Sequence, residues 1–312
     1  MSRPRQPAAV GIDLGGTATR IIAWHCNRMA AETTIATQVL GQGTPAQRVR
    51  RLWEAATQLT PQDCHISAIG IGASGPIDPQ TGIITNPDTL PWFSGFDLAA
   101  HLTAAAHVTV TIENDAVTAA LGEYHQGAGR GTERMLMVTL GTGIGVALLE
   151  NGQPFRLPDG RHPEAGHIPV SGSSHACYCG LAGCWEPTAS RQSLSNDLRA
   201  RERRRPEGEL ISAAAQAARN GDPCAAGMFR QYGHRVGRGL TMLHSVYGPT
   251  LTVIGGSTSV HLDLFSNGIQ EAMHRAARFR LAVPLIAAEL GHHAGAVGAA
   301  ILASRQIHAD LT

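Results

Sequence analysis

The sequence predicts an α/β chain made of two duplicated domains, and three observations carry that prediction. A strand, a Gly-Thr turn and a second strand open the chain, and the same arrangement restarts at Met135. A further glycine pair follows a strand at Leu251 to Ile254. The 312 residues, 43% of them hydrophobic, suit two filled cores better than one.

Each element has its own signal. Ala8 to Leu14 and Thr19 to Trp24 are apolar runs joined by Gly15-Gly16-Thr17, which reads as two strands and a tight turn. Pro45 opens a helical pattern with Val49, Leu52, Trp53, Ala56 and Leu59 on one face. Ile66 to Gly72 is a buried strand, and the Gly and Pro residues from Gly75 to Pro91 mark a loop region. Val108 to Ile112 is a strand leading into Glu113-Asn114-Asp115, where Asn and Asp suit the N-cap of a helix over Ala116 to Tyr124.

In the second half, Met135 to Leu140 and Ile144 to Leu149 are strands around Gly141-Thr142-Gly143. Arg199 to Glu209 reads as a solvated, charged surface turn. Asp222 to Tyr247 is a long helix whose Gly233, Gly237 and Gly239 admit the close approach of another backbone or a ligand. Ala294 to Ala303 is a helix of small residues, expected to return to the first domain. The expected division is 1–112 plus 294–312 as the small domain and 113–293 as the large one.

Composition excludes several function classes. The net charge is +1, from 25 basic and 24 acidic side chains, which leaves no electrostatic footprint for nucleic acid or an acidic membrane. All 25 basic residues are Arg, so chemistry that needs a Lys, the Walker-type phosphate loop included, is excluded. No secretory signal or membrane-length apolar run is legible, and a cytoplasmic protein is expected.

The chemistry lies in four groups of residues. Asp13-Leu14-Gly15-Gly16-Thr17 ends a strand in a carboxylate and turns the chain tightly, presenting N–H groups and a hydroxyl to phosphate oxygens. Asp13 can hold Mg²⁺ through water; a plain hairpin with a capping Asp is the other reading. Leu140-Gly141-Thr142-Gly143-Ile144-Gly145 supplies a second such turn, and Gly255-Gly256-Ser257 a third glycine loop. Two phosphate turns and a nucleoside-side glycine loop form the pattern of the actin-like ATPase (ribonuclease H-like) fold, with a ligand cleft between its domains. Asp115 can take a proton from a substrate hydroxyl that attacks a γ-phosphate, and Asn114 can bind neighbouring hydroxyls, unless both only cap the helix.

The fourth group is the most specific. Glu164-Ala165-Gly166-His167 precedes Cys177-Tyr178-Cys179-Gly180-Leu181-Ala182-Gly183-Cys184-Trp185-Glu186. One imidazole and three thiols make a four-ligand zinc shell. Free thiols and a disulfide are the alternatives, the latter disfavoured by the odd number of cysteines here. Cys26, Cys64 and Cys224 have no such company and read as buried thiols.

Together these motifs, in this order from about Val10 to Ala303, resemble the ROK family of bacterial sugar kinases and sugar-responsive repressors. The resemblance implies transfer of the γ-phosphate of ATP to the 6-hydroxyl of a hexose. It makes Asp115 the catalytic base and places Gly75, Asn114, Glu164, His167 and Glu186 with Asp115 on the sugar. ATP falls to Asp13, Gly15, Gly16, Thr17, Gly141, Thr142, Gly143, Gly255 and Gly256. His167, Cys177, Cys179 and Cys184 hold structural zinc, His167 giving one ring nitrogen to the metal and the other to the sugar. A homodimer is expected.

Two departures stand out. Family kinases usually show Gly-x-x-Gly-x-Ala-Gly before the Glu, whereas here the stretch is Leu157-Pro158-Asp159-Gly160-Arg161-His162-Pro163. The third glycine loop ends in Ser257 rather than Gly. A repressor is disfavoured because the first turn begins at Asp13, and a non-catalytic sugar sensor because Asp115 and both Gly-Thr turns are present. A neutral sugar is expected, glucose first, then N-acetylmannosamine, then allose or fructose.

Overall fold

The computed structural model describes residues 5–172, 176–201, 206–274 and 283–309. The first four residues, the centre of the 199–209 charge run and the last three residues of 294–312 lie outside these. The chain separates into two compact units. The first comprises Met1–Gly131, Leu149–Pro163 and His292–Thr312, and the second Thr132–Leu148 and Glu164–Gly291.

The first unit is built on β1 (Gln6–Leu14), β2 (Ala18–His25), β3 (Arg28–Ala36), β4 (Cys64–Ala73) and β5 (Thr109–Asn114), in the order β3-β2-β1-β4-β5. β1 runs antiparallel to β2 and parallel to β4, and β4 runs parallel to β5. Val10, Ile12, Leu14, Ile69 and Ile71 are wholly buried, as expected of central strands covered on both faces. One cover is α2 (Pro45–Leu59), started by a reciprocal capping box between Thr44 and Gln47 and burying Val49, Leu52 and Ala56. Another is α10 (Ala294–Ala309). A Cβ on Gly11 would collide with the carbonyl of Ala296, and one on Gly70 with that of Ala299, so these two strand glycines let the small-residue helix lie directly on the sheet. α1 (Thr37–Gly41), α3 (Leu98–Ala106) and α4 (Asp115–Gln126) complete this unit.

The second sheet takes β6 (Arg134–Leu140), β7 (Ile144–Glu150), β8 (Gln153–Pro154), β9 (Leu251–Gly255) and β10 (Leu285–Ala287) in the order β10-β9-β6-β7-β8. Read from the other edge, its third, second, first, fourth and fifth strands stand where β3, β2, β1, β4 and β5 stand in the first sheet. The β6–β9 and β9–β10 pairs are parallel, like β1–β4 and β4–β5. This repeated order is the duplication that the paired Gly-Thr turns announce. The helices are α5 (Trp185–Ala189), α6 (Arg191–Arg201), α7 (Glu207–Arg219), α8 (Pro223–Tyr247) and α9 (Leu262–His274). The close approaches expected at Gly233, Gly237 and Gly239 are made by the backbone of α9 at Phe265 and Ile269 and by the Trp185 ring. No helix among the described residues is long and apolar enough to cross a membrane.

Two of the three isolated cysteines are not buried. Cys26 is exposed, because Cys26 and Asn27 form the two-residue turn between β2 and β3 with φ of 51° and 56°, a conformation that points side chains outward. Cys224 is exposed in the first turn of α8, just after the Asp222 N-cap. Cys64 is buried as expected.

Candidate active site and metal centre

In the first unit the parallel strands β1, β4 and β5 end in register, Leu14 opposite Ala73 and Ala73 opposite Asn114. The Gly15-Gly16-Thr17 turn, Ser74-Gly75 and Asn114-Asp115 therefore all leave the sheet at the edge formed by its strand C-termini, where open α/β sheets hold ligands. Thr37 anchors the turn. Its hydroxyl donates to the Gly15 carbonyl at 2.6 Å and its N–H to the Thr17 carbonyl at 3.0 Å. Both carbonyls are thus occupied, which suits a turn that offers N–H groups to an anion.

Asn114 is the N-cap of α4, its side-chain oxygen accepting from the N–H groups of Ala116 (2.9 Å) and Val117 (3.3 Å). The cap uses only that oxygen and not the amide N–H groups. Asp115 is the first residue of the helix. Its Oδ1 accepts from the Ala116 N–H at 2.8 Å, and its Oδ2 from the Ser74 hydroxyl at 2.8 Å. A carboxylate held through both oxygens is aimed as well as charged. Glu113 braces the same corner, accepting from the Asn114 N–H at 2.6 Å and from the Arg156 guanidinium.

Asp13 is the electrostatic anomaly of this edge. Burial, then the nearby Asp115 carboxylate, push its carboxyl up to about 7, and Arg20 at 3.6 Å only partly offsets them. Its side chain is 27% exposed. An aspartate raised in the folded state binds more protons there than in the unfolded chain. Its contribution is full below pH 3.8 and is lost as pH rises towards 7. Asp13→Asn should therefore melt higher than the wild type at pH 8, by about 1–3 kcal/mol after allowing for solvent contact. The advantage should grow between pH 4 and 7 and be flat above. Thermal melts at four pH values check this, and equal melting at pH 8 would show that Asp13 carries no such strain.

In the second unit the Gly141-Thr142-Gly143 turn is drawn together with two other groups. The N–H of Gly141 donates to the Gly143 carbonyl at 3.0 Å, and the Arg191 N–H to the Gly141 carbonyl at 2.9 Å. The Gly255-Gly256 loop lies against it, Gly256 with φ of 79° packed on the Leu140 backbone and the Thr258 N–H donating to the Leu140 carbonyl. Glu186, in the first turn of α5, accepts from the Ile144 N–H at 2.8 Å and lies where a Cβ on Gly143 would collide with it. Gly166 rests on the Ile144 carbonyl, which brings the Glu164–His167 turn to the same place.

Beyond Glu186 lies the thiol cluster. The ligand atoms of His167, Cys177, Cys179 and Cys184 all fall within 4.8 Å of one another. Cys179 Sγ is 3.6 Å from Cys184 Sγ, and Cys177 Sγ is 3.4 Å from His167 Nδ1. Tetrahedral zinc with ordinary bond lengths requires edges of about 3.8 Å between sulfurs and about 3.6 Å from sulfur to nitrogen, so the donor set fits. All three cysteines are free thiols. Gly180 and Gly183, at φ of 90° and 72°, make the two turns that fold the thiols back on one another. Burial pushes the Cys184 thiol up to about 12, an effect that a bound cation reverses because the thiolate is the ligand.

His167 shows both faces. Nδ1 points to Cys177, and Nε2 lies 3.0 Å from the Tyr178 hydroxyl. Burial, and then the nearby Glu186 carboxylate, push the Tyr178 hydroxyl up, with Cys177 and Glu164 acting on it in the same direction through their charge.

Residues 9–306 match the family model described as the ROK family. The chain belongs to the ROK family. It is 30% identical over 311 residues to a glucokinase of Streptomyces coelicolor (strain ATCC BAA-471 / A3(2) / M145), covering 94% of this chain and 96% of that one. A ROK hexokinase from Thermus thermophilus superposes with a TM-score of 0.83 at 31% identity, over 96% of this chain and 99% of that one. A ROK family glucokinase from Streptomyces griseus, solved with glucose and AMPPNP, gives 0.80 at 29% identity over the same shares. These neighbours share the actin-like ATPase fold, which is the fold of this chain.

In this ROK chain the departure before Glu164 is absorbed locally. Leu157 to Arg161 close a turn, Leu157 N–H to Arg161 carbonyl at 2.9 Å, with Gly160 at φ of 84°. Arg161 folds back onto Asp159. His162 is pushed down to about 4 by burial and by Arg156, so it is neutral at physiological pH. Four contributors escape the sequence reading: Thr37, Ser74 as partner of Asp115, the Arg156–Glu113 brace, and the contact of Tyr178 with His167. None lies in a spacing pattern. Only Ser74, one residue past an apolar run and next to Gly75, stood where a strand-end ligand is expected.

Proposed function

We propose that this chain is an ATP-dependent hexose kinase of the cytoplasm, transferring the γ-phosphate of ATP to the 6-hydroxyl of a neutral hexose, with glucose the first candidate. The observation that supports it most is Asp115, a carboxylate held through both oxygens at the strand-end edge that also carries the Asp13 turn. There it can take the proton of a sugar hydroxyl as that oxygen attacks phosphorus. The Asn114 amide, Gly75, Glu164, His167 and Glu186 are the further sugar contacts of this reading. Phosphate binding is assigned to the Gly15-Gly16-Thr17 turn and to the Gly141-Thr142-Gly143 turn, in which the Gly141 N–H closes the turn onto the Gly143 carbonyl, with Gly255 and Gly256 on the nucleoside side.

Two neighbouring, partly exposed carboxyls, Asp13 and Asp115, suit a cation, and Asp13 is the residue that would hold magnesium. Magnesium, when bound, neutralises phosphate charge. Zinc, when bound by His167, Cys177, Cys179 and Cys184, fixes the ring of His167 and its tautomer. Similarity to glucokinases at about 30% identity supports glucose over N-acetylmannosamine, allose or fructose. A homodimer acting on ATP and a small sugar, with no nucleic acid or membrane partner, completes the reading. Purified protein with Mg-ATP should release ADP in response to glucose in a coupled assay. No sugar-dependent release across glucose, mannose, allose, fructose, N-acetylglucosamine and N-acetylmannosamine would sink the proposal.

A further inference from the structure

Tyr178 stands between two ligands of the cysteine cluster, yet it is not itself a metal ligand and has no place in the function described above. It is 79% exposed, so its ring is free to leave its place. Its ring meets the His167 ring edge-on, with centroids 5.0 Å apart and planes at 87°. Its hydroxyl lies 3.0 Å from His167 Nε2, with the Glu186 carboxylate near enough to act on it through its charge.

The donors and acceptors fix the direction of this bond. With Nδ1 turned to the thiols, the ring proton of His167 sits on Nε2, so Nε2–H donates to the Tyr178 oxygen. A hydroxyl that accepts from His167 in this way does what a sugar hydroxyl would do at this residue.

We propose that Tyr178 is a specificity-determining lid, whose phenol hydroxyl stands in for a substrate hydroxyl on His167. This rests on the hexose-kinase reading. Two consequences follow. A sugar that brings its own hydroxyl must displace the phenol, so Tyr178 weakens binding of the full substrate. A sugar lacking that hydroxyl leaves the phenol in place, so His167 Nε2 is not left unpaired and the analogue is rejected less strongly than the site alone would reject it.

The test compares wild type with Tyr178→Phe, both zinc-replete, using calorimetric titration with glucose and its 1-, 2- and 3-deoxy analogues, alongside ADP release. In the variant the Kd and KM for glucose should fall about 3- to 10-fold, the scale of one net hydrogen bond, with kcat unchanged. The penalty for one deoxy analogue relative to glucose should widen by a similar factor. A KM that is unchanged or raised overturns the lid, as does loss of zinc from the variant, which would make Tyr178 structural. If the wild type itself neither binds nor phosphorylates any sugar of the panel, the hexose-kinase reading falls and the lid with it. If the wild type works and the two proteins match, the lid alone falls.

Discussion

Asp115→Asn should fold, bind sugar and lose turnover by about 10²–10⁴-fold, the range typical for removal of a general base. The local geometry says why folding survives. The Ala116 N–H can still donate to the remaining side-chain oxygen, and the Ser74 hydroxyl, a donor to Oδ2 in the wild type, can accept from the new amide. The Asn114 cap persists, since its oxygen accepts from Val117 as well as sharing the Ala116 N–H with residue 115. An amide, however, cannot take the proton of an attacking hydroxyl. The signature is therefore a fall in kcat with little change in sugar Kd or melting temperature. Ser74→Ala is the informative companion. It keeps the carboxylate and loses one hydrogen bond that aims it, so it should retain more turnover than Asp115→Asn. Near-normal turnover in Asp115→Asn would remove Asp115 from the base role.

Where hydrophobic pattern and cap chemistry act together, the sequence was a sound guide to the fold. α2 begins at Pro45 after its Thr44 cap, α4 begins at Asp115, and β6 and β7 flank Gly141-Thr142-Gly143. β3 was not legible, because Arg28–Ala36 has no fully buried residue and owes its existence to pairing with β2 rather than to an apolar run. α3 was missed for a related reason: its Ala-rich stretch carries little periodic contrast. The cysteine spacing predicted a cluster that the backbone does assemble, since Gly180 and Gly183 supply the turns. Spacing could not give the neighbours of each group. That Asp13 lies close enough to Asp115 to be raised by it follows from parallel pairing through β4, 50 or more residues along the chain from β1. That His167 Nε2 meets Tyr178 depends on how tightly the knot closes.

The knot itself should respond to metal removal in a particular order. Cys179→Ser takes one thiolate from a set whose sulfurs and ring nitrogen already lie at zinc-compatible spacing, and metal affinity should collapse. Two effects should follow from where the knot is tied in. Trp185, wholly buried with its indole N–H on the Arg235 carbonyl, sits between Cys184 and Glu186, so loosening Cys184 loosens a core anchor and lowers the melting temperature. His167 keeps its backbone bond to Glu164 but loses the partner that orients its ring, so sugar affinity should fall by about tenfold or more. Asp115 belongs to the other compact unit and is aimed by Ser74 and Ala116, so the chemical step at saturating sugar should suffer less than KM. This KM-weighted loss is the opposite of the kcat-weighted loss expected for Asp115→Asn. Cys224→Ser, an exposed cysteine at the start of α8, is the control and should change neither zinc content nor KM. Elemental analysis should find about one zinc per chain in the wild type and in Cys224→Ser, and much less in Cys179→Ser. Wild-type protein that contains no zinc after chelator-free preparation, yet binds sugar normally, would show that the four side chains gather for some other reason.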